Sequence, residues 1–177
     1  PWSEGLEMDH MPSTGMSGID VYRFDAAKGK WLFYKTGRIW QPKKGGSLDV
    51  GWTPGTPCLV NLPLYNGIRT FSLGIARDAK VEALGPRKSG IDKPVVFYGT
   101  SITHGGCCSR PGLAFVNWVG RDLDVPVVNL GFSGSGKMEF ERSEHLSRID
   151  ASCYVLDCLW NMGLPLVKAN YELFIRN

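Results

Sequence analysis

The chain has 177 residues, 43% of them hydrophobic and 11% aromatic, with a formal net charge of +3. That composition fills a packed core and excludes a disordered chain, while so mild a charge, on scattered basic residues, does not point to nucleic acid. No apolar run approaches the ~20 residues of a membrane helix, and no secretory leader is legible in a chain that opens at Pro1 rather than Met, which leaves a removed leader open.

Residues 1–17 read as an irregular lead-in. From Gly18 to Ala83, short apolar runs alternate with turn sequence such as AAKGK, QPKKGG, GWTPGTP and YNGIR. Strands are predicted at 18–25, 30–35, 58–65, 70–75 and 80–84, a spacing that suggests an antiparallel β-sandwich ending near Ile91. In VYRFD, Val21, Arg23 and Asp25 fall on one face of a strand, and Tyr22 and Phe24 on the other. Tyr22, Phe24, Trp31 and Phe33 cannot all face solvent without an aggregation liability, so several should pack inside this sandwich or against the later half of the chain. The basic patches PKK (42–44) and PRK (86–88) lie in turn sequence and read as solvated.

Near residue 90 the rhythm changes to strand, helix, strand, helix. Val95–Tyr98 is a continuous apolar strand. A helix follows over 113–123, with Leu113, Val116, Gly120 and Leu123 on one stripe. The second strand is 125–130, a weaker helix spans 139–149, and the third strand is 151–159. Leu164–Ile175 closes the chain as a helix, with Pro165 tolerated in its first turn. Apolar strands separated by helices imply a parallel sheet covered on both faces. The expected organisation is therefore a β-sandwich domain over 1–91 and an α/β domain over 92–177. Three strands are few for such a sheet, so the chain is expected to be part of a longer one.

In a parallel α/β sheet, the loops leaving the C-terminal strand ends lie side by side and bind ligands. Here they are GTSITHGG, GFSGSGK and CLWNMG. Ser101 offers a hydroxyl nucleophile, Gly134 a backbone N–H with no side chain in the way, and Asn161 a side-chain N–H. A tetrahedral intermediate needs two or three such donors aimed at its oxygen. Each residue also has a purely structural reading. Ser101 suits a turn, Asn161 suits a helix cap, and the glycines suit a strand-to-helix turn. One element on each of three successive strand ends favours the catalytic reading.

YGTSIT, NLGFSGSGKME and LDCLWNM resemble the first three blocks of the SGNH (GDSL-like) hydrolases. SGIDVYRFD with LPLYNGI resembles the β-rich domain that precedes the catalytic one in a bacterial branch of that superfamily. The resemblance implies a partial three-layer α/β/α hydrolase domain and a serine esterase. In it Ser101 is the nucleophile and an oxyanion donor, and Gly134 and Asn161 are the second and third donors. It also implies an ester substrate with an acyl or acetyl group, on a small molecule or a carbohydrate, no metal or cofactor, and a secreted or periplasmic setting. Two positions depart from the pattern: Thr100 stands where an Asp usually precedes the nucleophile, and Met162 where an Asp usually follows the Asn. The base of the family is a His with an Asp three residues before it, near the domain's C-terminus. No His follows Asn161 here. The three histidines are His10 in the lead-in, His104 in the turn after Ser101, and His145 on a polar helix face. The base His and its Asp are thus expected outside these residues, and the chain is expected to be nearly inactive alone.

Two other readings stay open. Gly131, four residues, Gly136 and Lys137 make most of a phosphate-binding P-loop, with Asp157 at the end of an apolar strand as a magnesium partner. Met138 stands where that motif needs a Ser or Thr. Alternatively, Trp31, Trp40 or Trp52 could form a non-catalytic carbohydrate platform, although core packing is the commoner fate of such residues. The five cysteines have no zinc spacing. Cys153 and Cys158, five apart, point to opposite faces of a strand, and a Cys107–Cys108 disulfide would be strained.

Overall fold

The computed structural model describes residues 5, 7–38 and 45–177; Trp40 and the 42–44 basic patch lie outside them. Among the described residues there are two three-stranded sheets, one antiparallel and one parallel.

A one-turn helix α1 (Ser13–Met16) leads into β1 (Gly18–Asp25), which pairs antiparallel with β2 (Lys30–Arg38) on one side and β3 (Cys58–Asn61) on the other. The strict alternation expected in VYRFD is broken. The β1–β2 register shifts between Val21 and Tyr22, so both side chains are buried. β3 stops at Asn61 rather than running to 65. Pro63 has no N–H for a ladder, and the amides beyond it turn to α1: Leu64 donates to Gly15 O, and Asn66 to Met16 O.

Residues 70–75 and 80–84, expected as strands, run as irregular chain. Phe71, Leu73, Ile75, Val81 and Leu84 are each more than half exposed. Period-two alternation makes a strand only where a neighbouring edge takes up the backbone donors and acceptors, and among the described residues no edge runs beside this stretch.

The parallel sheet has the order β5-β4-β6, with β4 (Val95–Gly99), β5 (Val127–Gly131) and β6 (Cys153–Asp157). β4 is central and buried on both faces, which explains its unbroken VVFY. One face carries Phe97, in an edge-on contact with Phe115 of α3 (Phe115–Asp122). The other face carries Val96 and Tyr98, packed with Met138, Leu146, Cys158 and Phe174 beneath α4 (Phe140–Leu146) and α5 (Leu164–Arg176). The helix expected over 113–123 arrives in two pieces, a 3-10 turn at Pro111–Leu113 and then α3, because Ala114 is extended (ψ 133°). Leu159, Trp160, Leu164 and Leu173 are each 60% exposed or more. No helix among the described residues is long and apolar enough to cross a membrane.

The two sheets meet through buried chemistry. Asp20 of β1 is 0% exposed, and both its carboxylate oxygens accept the Gly112 N–H at 3.0 Å. Arg110 reaches the same carboxylate at 3.4 Å and the Tyr22 hydroxyl at 3.2 Å, and its guanidinium lies 3.9 Å from the Phe33 ring centre. The Tyr22 ring sits where a Cβ on Gly112 would be, and the Arg121 guanidinium lies over that ring, 4.1 Å from its centre. Tyr22 is therefore buried against the second half of the chain. Phe24 and Trp31 pack edge-on to each other.

Candidate active site

Ser101 opens the one-turn helix α2 (Ser101–His104) directly after β4. Thr100 is the N-cap; its hydroxyl accepts from Ile102 N, and its own N–H donates to Asp157 O at the end of β6. Gly105 closes the turn in the left-handed region (φ 75°), which a glycine adopts without strain. The turn is thus fixed at both ends, and Ser101 is exposed.

The helix lies directly on the strand ends, and glycines make that possible. A Cβ on Gly99 would lie 2.2 Å from Thr103 Oγ1, and one on Gly131 would lie 2.0 Å from His104 N. Below them, Thr103 donates to Asp157 Oδ2 at 2.8 Å and Asn129 donates to Thr103 O at 2.9 Å. Gly99 pairs in register with both Gly131 and Asp157. The loops bearing Ser101, Gly134 and Asn161 therefore leave the sheet at one level and on one edge.

Gly134 lies in the loop after β5 with φ +70°, and the position a Cβ would take is open space. Its loop is tied down on all sides. Phe132 N donates to Gly99 O, and a Cβ on Gly136 would lie 2.2 Å from that same oxygen. Asn161, in a 3-10 turn at Leu159–Asn161 after β6, donates from Nδ2 to Ser135 O at 2.5 Å. Asn170 of α5 donates to Lys137 O at 2.9 Å. Glu139 Oε2 accepts both the Lys137 N–H and the buried Tyr98 hydroxyl. Burial pushes the Glu139 carboxyl upward, but these hydrogen bonds and Arg142 outweigh it and hold it below the usual carboxylate range. The Tyr98 phenol is driven well above its usual value, by burial first and then by that carboxylate.

Sequence reasoning missed this supporting frame of Thr103–Asp157, Asn129 and Tyr98–Glu139. Its trace in the sequence was a polar residue in or at the end of each apolar run: Tyr98, Asn129 and Asp157.

The histidines are elsewhere. His104 closes the turn that Ser101 opens, with its ring edge-on to Tyr65. Burial lowers its pKa below the usual value, and a hydrogen bond to the Leu64 backbone only partly offsets this. Its Nδ1 is buried without a partner. His145 is an exposed residue of α4.

The P-loop reading finds little support in this geometry. Helix α4 begins only at Phe140, and the Lys137 amide that would meet a phosphate is already bonded to Glu139. Asp157 takes the Thr103 hydroxyl. The aromatic-platform reading fares similarly. Trp31 is paired with Phe24, while Trp52 is paired edge-on with Tyr34 and bonded through Nε1 to Thr56 O. Among the described residues, no group of three His, Cys, Asp or Glu side chains could hold a metal ion, and all five cysteines are free thiols.

Comparison with known proteins gives three findings. Residues 92–177 match the model of the GDSL-like lipase/acylhydrolase family. Residues 2–81 match the model for the N-terminus of esterases of the SGNH-hydrolase type. A crystal structure assigned as a GDSL-like lipase, from Bacteroides ovatus ATCC 8483, superposes with a TM-score of 0.82 at 30% identity. That match covers 98% of this chain and 50% of the other, so the chain spans half the length of the structure it resembles. No curated protein matches the chain significantly.

Proposed function

The chain belongs, over residues 92–177, to the GDSL-like lipase/acylhydrolase family, and from that premise we propose that it carries the nucleophile and oxyanion donors of a serine ester hydrolase. The observation that carries the reading is the shared register of Gly99, Gly131 and Asp157, which brings three donor-bearing loops to one sheet edge.

In this reading the Ser101 hydroxyl attacks the ester carbonyl carbon and gives its proton to a base. The carbonyl oxygen becomes an oxyanion, held by the N–H groups of Ser101 and Gly134 and by Asn161 Nδ2. A carboxamide nitrogen has two N–H bonds, so Asn161 can hold Ser135 O with one and the oxyanion with the other. Collapse expels the alcohol, which takes up the proton, and leaves an acyl group on Ser101. Water then attacks the acyl-enzyme and releases the acid. The donors are set before substrate arrives, since Thr100, Asn161, Asn170 and Glu139 each fix a loop. Fixed donors need no reorganisation when charge develops.

The reading assigns the base to none of His10, His104 and His145, since among the described residues no hydrogen bond joins the Ser101 hydroxyl to any of them. His104 points its edge at Tyr65 from the far end of α2, and His145 lies on α4. The reading calls for a histidine, oriented by an aspartate, as that base. The substrate class is an acyl or acetyl ester of a small alcohol or carbohydrate. Residues 1–91 form a supporting domain docked through Asp20, with 92–177 as the hydrolase portion. The test is covalent labelling: incubation with an aryl acetate should add an acetyl group to the Ser101 peptide by mass spectrometry, and Ser101→Ala should not take it up. Labelling that survives this substitution would move the nucleophile elsewhere.

A further inference from the structure

Glu139 stands at the N-terminal boundary of α4, where a side chain often caps a helix, yet its carboxylate makes no cap. It turns back instead to the loop that carries Gly134. One oxygen, Oε2, accepts both the Lys137 N–H at 2.9 Å and the Tyr98 hydroxyl at 2.5 Å. Tyr98 is 1% exposed in the central strand β4, a few positions before Ser101.

Between Lys137 and Glu139, the buried Met138 is held at φ +55°, with its backbone against the Tyr98 hydroxyl. A methionine leaves that region unless its surroundings keep it there. The two bonds to Glu139 Oε2 supply such a hold on either side of it. Upstream, Gly134 lies in the turn closed by the bond from Ser135 N to Phe132 O at 3.1 Å. The entry to that turn is tied to β4 through Phe132 N and Gly99 O, and its exit through Lys137, Glu139 and Tyr98. One strand therefore holds both legs of the Gly134 turn and, at its own end, Ser101.

We propose that Glu139, backed by Tyr98, is the positioning residue that sets the Gly134 N–H for the oxyanion formed at Ser101, an inference that rests on the acyl-transfer reading above. Glu139 meets no reacting atom and acts through the loop. An ionised carboxylate suits the task, because a hydrogen bond to a charged group is roughly twice as strong as one to a neutral acceptor. The groups that face it leave it ionised. Arg142 of α4 favours its charge, while the Tyr98 phenol and the Cys158 thiol, both pushed up first by burial, stay neutral beside it. A donor misplaced by about 1 Å loses on the order of 10²-fold in rate.

The experiment follows acetylation of Ser101 over a range of aryl acetate concentrations, with exchange of the Ser135 amide measured by NMR in the same variants. Glu139→Ala should lower the saturating rate by about 10²-fold. The half-saturating concentration should stay within about twofold, since the lost interaction is made only in the transition state. Glu139→Gln keeps an acceptor oxygen and should recover the rate to within about tenfold of wild type. Tyr98→Phe keeps the ring stacked on Phe174 and should slow acetylation by about tenfold. Adding it to Glu139→Ala should cost less than about a further twofold, because the pair acts as a unit. The Ser135 amide should exchange about tenfold faster in both Glu139→Ala and Tyr98→Phe. A wild-type chain that takes no acetyl group on Ser101 sinks the acyl-transfer reading and this inference together. With Ser101 labelled, unchanged Ser135 exchange in Tyr98→Phe sinks the inference alone. So does a saturating rate within about twofold of wild type in Glu139→Ala, or in Tyr98→Phe should Glu139→Ala fail to fold. A raised half-saturating concentration at an unchanged saturating rate overturns it as well.

Discussion

The side-chain amide of Asn161 donates to the carbonyl oxygen of Ser135 at 2.5 Å, which ties the loop after β6 to the loop after β5. One bond thus couples two of the three proposed oxyanion donors, since Ser135 follows Gly134. Asn161→Ala should therefore do more than remove a donor, because the Gly134 loop loses an anchor. Loss of one oxyanion donor costs about 2.7–4 kcal/mol in the transition state. Acetylation of Ser101 by an aryl acetate should slow by about 10²–10³-fold, measured by mass spectrometry over time. Asn161→Asp, which keeps the shape but removes both N–H donors, should be no better. An unchanged acylation rate in either variant would remove Asn161 from the site.

The proposed absence of a base within the chain gives a second expectation. Serine is a weak nucleophile at neutral pH without a base, and sites stripped of triad members keep only ~10³–10⁴-fold over water. Added imidazole should then accelerate acetylation of Ser101, with no matching gain in Ser101→Ala. If imidazole has no effect on an already rapid, Ser101-dependent rate, a base is present within these residues, and His104 becomes the first to substitute.

Two glycines of the same loop should respond differently to alanine. Both have positive φ, +70° at Gly134 and +73° at Gly136, which costs an alanine about 1–2 kcal/mol. At Gly134 nothing lies within 4 Å of the added Cβ, so the cost ends there. At Gly136 the Cβ would lie 2.2 Å from Gly99 O, a backbone atom that cannot swing aside. Gly136→Ala should lose roughly 3 kcal/mol or more in denaturant melts, and Gly134→Ala only about 1–2 kcal/mol. Equal losses would contradict the packing described.

Much of the parallel sheet and its loops was legible because its signals are local. VVFYG, VVNLG and CYVLD are apolar runs, broken only by Asn129 and Asp157, that end in a turn, and Ser101, Gly134 and Asn161 could be placed on the strand ends by order alone. The antiparallel half was harder. TFSLGI and KVEAL alternate as strands do, but a ladder partner is a property of distant chain and leaves no local mark. The docking of β1 was also hidden. Asp20 shares the Tyr22 face by period two, and a carboxylate among aromatics signals a buried partner, but nothing local says that the partner is Gly112, 92 residues on.

That contact yields a stability prediction. Asp20 is fully buried, and burial raises its pKa against the opposing pull of Gly112 N–H and Arg110. Asp20→Ala would strand the Gly112 amide and the Arg110 charge, a loss of about 3–5 kcal/mol. Asp20→Asn keeps an oxygen for Gly112 and escapes the cost of burying a charge, so it should lose clearly less. Thermal melts of the two variants decide this, and equal destabilisation would mean that the ion pair with Arg110, not the amide contact, dominates.

The burial of His104 gives an acid-side stability prediction. Its ring lies against Tyr65, its bonded nitrogen meets the Leu64 backbone, and its buried Nδ1 faces Gly106, with Met11 close by. No carboxylate is among these neighbours, so only the Leu64 backbone favours the charged ring, and burial outweighs it and lowers the pKa below the usual 6.5. The unfolded chain therefore binds this proton at a higher pH than the folded one does. Linkage gives the sign: the contribution of His104 is fully present above about pH 6.5 and declines as the pH falls through the lowered folded value. Ordinary carboxylates begin to titrate below about pH 5. The buried Asp20, whose pKa is raised, is common to wild type and a His104 variant, so the difference between the two from about 6.5 to 5 isolates the histidine. Wild-type melting temperature should drop across that interval. His104→Gln, which cannot be charged, should flatten the curve there even if it lowers stability at pH 8. A wild-type curve that is flat from 6.5 to 5 would mean that the ring is protonated in the folded state without penalty, and that the packing around α2 is looser than the contacts with Tyr65 and Leu64 imply.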